Sequence, residues 1–118
     1  MRRATKRLIA DLGCPFEFVI DARTLHRLRW REESSQQSNY GQLEGAIMRV
    51  VMPEVEFDQH LPAYASSRVV RMTRAEGFDG LAGKPFLDCF HFDNGNGGEF
   101  CLESWAQYRA RHVRAASS

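Results

Sequence analysis

Residues able to ligate a metal or supply a nucleophile gather in one stretch, 86–103, FLDCFHFDNGNGGEFCLE. It reads as two strands joined by a turn rich in Asn and Gly. Alternation sends Phe86, Asp88, Phe90 and Phe92 one way and Leu87, Cys89 and His91 the other. After the turn, Phe100 and Leu102 alternate with Glu99, Cys101 and Glu103. Matching the apolar faces fixes the parity of the pairing, because a slip of one residue sends every side chain to the opposite face. That parity collects Cys89, His91, Glu99, Cys101 and Glu103 on the second face. Two thiolates and an imidazole, completed by a glutamate, form a tetrahedral zinc set. Cys89, His91 and Cys101 are therefore the candidate metal ligands. His91 beside a cysteine is also the candidate base for a thiolate nucleophile, or the polar group of a ligand cavity. The spacing departs from the tight CxxC pairs of most zinc sites, and buried cysteines otherwise act as small apolar residues.

A second kind of chemistry lies in DARTLHRLRWREE, residues 21–33. As a helix it starts at Asp21 and aligns Ala22, Leu25 and Leu28. As a strand it puts His26, Leu28 and Trp30 on one face and Arg27, Arg29 and Arg31 on the other, and the strand is the reading adopted. Arg27, Arg29 and Arg31 then make a basic row able to follow a phosphate backbone, which makes nucleic acid a possible partner. Arginines on a solvent-facing edge strand also guard against edge pairing.

Other motifs fail on inspection. GFDGLAGKP lacks the glycine and the hydroxyl that a phosphate-binding loop needs, having Phe78 and Pro85 at those positions. The turn at 93–98 places Gly95 and Gly97 where a calcium loop needs oxygen side chains. Phe100 occupies the third glycine of a dinucleotide fingerprint. His26 and His60 have no recognisable partner. No motif specifies a reaction or a cofactor, so none is expected.

With 118 residues and 43% hydrophobic content, the chain suits one α+β domain with a core that needs neither disulfide nor metal. Three cysteines form no disulfide framework, which points to reduced thiols and the cytoplasm. No run approaches the roughly 18 apolar residues of a membrane span, so no membrane is expected. Charge is uneven. Residues 1–31 carry eight basic and three acidic side chains, +5; residues 32–58 carry one and six, −5; residues 104–118 carry three basic and no acidic ones, +3.

The elements that must position these groups follow from periodicity. Residues 3–12 read as a helix stopped by Gly13 and Pro15, with Arg2, Arg3, Lys6 and Arg7 at its unfavourable end. FEFVI, 16–20, is a strand. SSQQSN, 34–39, reads as a flexible loop. A strand runs from about Ala46 to Phe57, with Val51, Val55 and Phe57 on one face. Residues 58–64 read as a loop or short helix and 67–73 as a strand. Ser104 and Gln107 form a capping box for a C-terminal helix, whose Trp105, Tyr108 and His112 face the sheet. Residues 115–118 are expected to fray.

The expectation is a single domain over residues 1–118. It has a mainly antiparallel sheet, or a small barrel, of about five strands, with N-terminal and C-terminal helices. The apolar inventory on both faces of its strands exceeds what two helices cover. The chain therefore reads as a non-catalytic binding or assembly module that forms a homodimer, with a protein partner possible.

Overall fold

The computed structural model describes residues 2–93 and 101–117, at 92, 93, 101 and 114–117 by backbone alone. It is an α+β structure built on a six-stranded mixed sheet. In chain order the elements are β1 (Ile9–Asp11), β2 (Phe18–Ile20), α1 (Ala22–Leu28), β3 (Arg31–Ser38), β4 (Gly41–Met52), a 3-10 turn (Pro53–Val55) and β5 (Phe57–Ala65). Then come α2 (Ser67–Arg74), β6 (Leu81–Gly83), α3 (Lys84–Leu87), β7 (Phe90–Asp93), β8 (Cys101–Ser104) and α4 (Trp105–Ser117). The sheet order is β1-β6-β2-β5-β4-β3, and β7 pairs with β8 in a separate ladder. β1 runs parallel to β6, and β2 parallel to β5; the other neighbours are antiparallel. The sheet is therefore mixed rather than antiparallel throughout, and it is not a closed barrel.

Phe18, Val19 and Ile20 are all buried, so β2 is covered on both faces. On the front, Phe18 and Ile20 join Leu25 of α1, Phe86 and Leu87 of α3, Ala46 and Met48 of β4, Phe57, and Phe90 of β7. On the back, Val19 joins Cys14, Val69 of α2 and Leu81. The front cluster is aromatic: the Phe18–Phe86, Phe86–Phe90 and Phe57–Phe90 ring centroids are 4.6, 5.1 and 5.1 Å apart.

Several elements differ from the expectations, each for a physical reason. Residues 2–8 form no helix, and Ile9–Asp11 instead pairs with β6 as an edge strand. Residues 22–28 are helical because Asp21 caps them: its carboxylate accepts from the Thr24 amide at 2.9 Å. Ser66 caps α2 in the same way, accepting from the Val69 amide at 3.2 Å. Val69, Val70 and Thr73 then form its buried stripe, despite the strand preference of two adjacent valines. The polar run 34–38 belongs to strand β3, because an edge strand with both faces in water needs only ladder hydrogen bonds. β5 accommodates Pro62 because β2 reaches it only at Tyr64 and Ala65. Phe57 pairs with Met52, so it lies on the front with Val55 while Val51 lies on the back. The C-terminal helix follows its capping box, with reciprocal bonds of 2.8 and 3.0 Å between Ser104 and Gln107, and its backbone stays helical to Ser117. No helix among the described residues is long and apolar enough to cross a membrane.

β6 closes on β2 through two glycines. A Cβ on Gly83 would stand 1.8 Å from the Phe16 carbonyl oxygen, and one on Gly80, at φ +149°, 2.1 Å from that of Val19. Neither neighbour is a flexible side chain, so the strands themselves would have to separate. Gly83→Ala is expected to cost about 3 kcal/mol, the upper end of the usual range for point changes. That corresponds to a fall of roughly 10 °C or more in thermal midpoint, read by circular dichroism. An unchanged midpoint would show that the approach is not tight.

Candidate functional site

The parallel strands β2 and β5 end side by side at Ile20 and Ala65, and the Ser66 amide donates to the Ile20 carbonyl at 3.1 Å. Each strand passes through a capping residue into a helix, and the two helices leave in opposite directions. α1 packs its Leu25 on the front and α2 its Val69 on the back. Diverging connections at the carboxyl ends of adjacent parallel strands leave an opening above them, the usual place for a ligand in sheets of this kind.

Here the opening is a crevice of about 300 Å³. Ala65, Ser66, Ser67 and Arg68 form one wall, Tyr40, Gln42 and Glu44 the other, and Ala22 one end. Its charges are unlike. Arg68 is exposed in the first turn of α2, where the helix dipole disfavours a cation, and it has no ion-pair partner among the described residues. Glu44 faces His26, with Nε2 and Oε1 2.6 Å apart and each side chain about half exposed. Asp21, which precedes the crevice residue Ala22, is occupied structurally. Burial works against its charge, but hydrogen bonds from the Thr24 amide and hydroxyl, with the Lys6 ammonium at 3.3 Å, outweigh it and hold its carboxyl below the usual range. A second cleft of about 220 Å³, lined chiefly by Ile9, Val69, Met72 and Leu81, lies along α2, and Tyr40 stands between the two.

The residues singled out in the sequence lie elsewhere. Arg27 is on α1 and donates to the Arg3 carbonyl at 3.1 Å. Arg29 follows that helix and pairs with Glu32 at 3.2 Å, while Arg31 begins β3 with its guanidinium 5.3 Å from the Trp30 ring. A helix followed by a strand does not align them, so the single basic row is not formed.

The hairpin keeps the expected parity: Phe92 pairs with Leu102 and His91 with Glu103. It begins at Phe90 rather than Phe86, because Pro85 starts the α3 turn. Cys89 is therefore outside the ladder, exposed, with Sγ 3.6 Å from the Pro85 carbonyl. Burial, Asp88 and Glu17 push its thiol up, away from the thiolate. Cys101 pairs with Asp93 at the far end of the ladder, and its side chain lies outside the described ones, as do Glu99, Phe100 and the turn at 94–98.

His91 is brought against different groups. Its Nδ1 is 2.9 Å from Glu103 Oε1, and its ring is 3.9 Å from that of Tyr108. Glu103 also accepts from Arg111 at 2.7 Å; that bond, then the one to His91, holds its carboxyl below the usual range. His91 thus ties α4 to the hairpin, and it lines neither cleft. Among the described residues no three His, Cys, Asp or Glu side chains gather as metal ligands.

Sequence reasoning missed Glu44, Ser67, Arg68 and the His26 partner. A signal was present in two similar junctions, FVI-D-ARTL and AYA-S-SRVV, each an apolar strand, a capping residue and a helix. No protein-family model matches the chain, and no curated protein or solved structure is significantly similar to it.

Asp21→Ala removes the cap that starts α1 and is expected to cost about 1 kcal/mol at pH 7. The carboxyl titrates lower in the folded chain than in the unfolded one. Its ionised form therefore contributes stability above the unfolded value, about 4. That contribution is lost as pH falls through the folded value. Urea unfolding should show the gap between wild type and variant narrowing below about pH 4; a gap independent of pH would mean the charge contributes nothing.

Proposed function

We propose that the protein is a small binding module that works as a homodimer in the cytoplasm and holds a compact polar ligand in the crevice above β2 and β5. The observation that carries this reading is Arg68, an ion without a partner among the described residues, opposite Glu44 across an opening of about 300 Å³. A ligand presenting an anionic group to Arg68 and a donor or cation to Glu44 satisfies both walls, so the favoured class is zwitterionic, on the scale of an amino acid or dipeptide. The Ser67 hydroxyl on the same wall offers a further hydrogen-bonding group. Free Cys14 and Cys89 fit a reducing compartment. The splayed Arg27, Arg29 and Arg31 give nucleic acid less support than a common row would.

Amide chemical shifts in a ¹⁵N-labelled sample test this reading, with amino acids and dipeptides titrated to millimolar concentration. Shifts should cluster at Ala22, Gln42, Glu44 and 66–68, and Arg68→Ala should weaken the response about tenfold, the loss of one charge-assisted contact. Responses centred on His91, or unchanged by Arg68→Ala, would overturn the assignment.

A further inference from the structure

The back of the sheet is covered unequally. α2 packs over Val19 and Leu81, on β2 and β6. The back-facing residues of β3, β4 and β5 have no helix over them among the described residues. They include Arg31, Glu33, Ile47, Arg49, Val51, Asp58, His60 and Pro62, by the register of the three strands. Trp30 lies on this patch with its ring 4.3 Å from that of His60. Trp30 is 59% exposed and Val51 51%. An exposed tryptophan beside arginines is the composition of an interface centre rather than of ordinary surface.

The charges on the patch say what fits it. Arg49 and Asp58 satisfy each other through two bonds of 2.8 and 2.6 Å. Arg31 and Glu33 do not. They stand two residues apart on one face of β3, and among the described residues Arg31 has no carboxylate partner and Glu33 no cation. Glu33 instead lies near Glu17, a like charge. Arg31 lies over the Trp30 ring and Glu33 accepts from the Ser34 amide at 2.9 Å, so what each lacks among the described residues is a counter-ion, and a basic and an acidic group side by side in that state form a self-complementary pair. A twofold axis between them sets Arg31 of one copy against Glu33 of the other, twice. No other simple partner satisfies both charges by symmetry.

We propose that this patch is a twofold interface between two copies of the chain, with Trp30 and Val51 buried at its centre and reciprocal Arg31–Glu33 contacts beside them. The proposal rests on the homodimer in the reading above and names its face. Two sheets meeting here stack face to face at about 10 Å, and the long side chains of Trp30, Arg31 and Arg49 span that gap. The crevice opens beyond the carboxyl ends of β2 and β5, so the contact leaves it accessible.

Charge exchange tests the interface, because Arg31 and Glu33 are on an edge strand and their reversal leaves the core untouched. Light scattering of the wild type across micromolar concentrations should give a dimer mass. Arg31→Glu alone and Glu33→Arg alone should each raise the dissociation constant at least about tenfold, since each places two like-charge contacts at the interface. The double variant R31E/E33R should restore dimerisation, with circular dichroism reporting the fold of each. A wild-type monomer at 100 μM or below overturns both the interface and the homodimer. A dimer unaffected by either single reversal overturns this face alone, and so does a double variant that stays monomeric while folded. None of these outcomes bears on ligand binding at Arg68, which the amide titration reads separately.

Discussion

Strand β2 has no solvent side, and the rest of the fold follows from that. Three consecutive buried residues, Phe18, Val19 and Ile20, need apolar cover on both faces of a sheet. α1, α3 and the β7–β8 ladder supply it in front, and α2 behind. The same burial fixes the glycines. β6 lies close enough to β2 that Gly80 and Gly83 leave no room for a Cβ against the Val19 and Phe16 carbonyls. A chain that buries a short strand this completely draws its covering elements from far along the sequence. The front cluster accordingly joins residues from Phe18 to Phe90.

The crevice is a by-product of the same requirement. To cover both faces, the chain leaving β2 must turn to the front and the chain leaving β5 to the back, and each turn needs a cap for a helix that starts at once. Asp21 and Ser66 serve there, and their own polar groups are spent on the backbone. What remains open to a ligand are the neighbours that do no capping: Ser67 and Arg68 on one wall, Glu44 on the other. A cation in the first turn of α2 runs against the helix dipole. That placement is the ground on which Arg68 is proposed to meet a ligand.

Much of this was legible where local chemistry and packing agree. The parity of the hairpin and the Ser104–Gln107 capping box are set by neighbours in sequence, and they hold; the strand expected over 16–20 is present over its second part, Phe18–Ile20. The strand assigned to 67–73 failed because two adjacent valines weigh toward a strand, while one serine before them caps a helix that buries both. The loop assigned to 34–39 failed for the opposite reason: no apolar periodicity marks an edge strand wetted on both faces, and only its register with β4 identifies it. Of the proposed metal group, Cys89 lies off the hairpin because a helical turn at 84–87 containing Pro85 precedes it, and the Cys101 side chain lies outside the described ones. The crevice was not legible at all, because its walls come from residues 22, 40–44 and 65–68, joined only by the order of strands in the sheet.

The C-terminal segment explains why one face of the long strands is left bare. β4 and β5 extend well past β2, and their far halves are apolar mainly in front, with Val51 the apolar residue of β4 on the back. In front, Val50, Met52 and Phe57 are met by Phe90 and Leu102 of the β7–β8 ladder. α4 in turn is held on that ladder by the His91–Tyr108 stack and by Glu103, which serves His91 and Arg111 together. This unit sits entirely on the front, because Phe90 must reach Phe57 and Phe86. The described chain has no second such unit for the back, where Trp30, just before β3, and Val51 of β4 stay exposed. Trp30 and Val51 are the exposed apolar groups of an otherwise largely charged face. Contact with another molecule would withdraw Trp30 and Val51 from water, and Arg31 and Glu33, without ion-pair partners among the described residues, are the ground on which a second copy is proposed as that molecule.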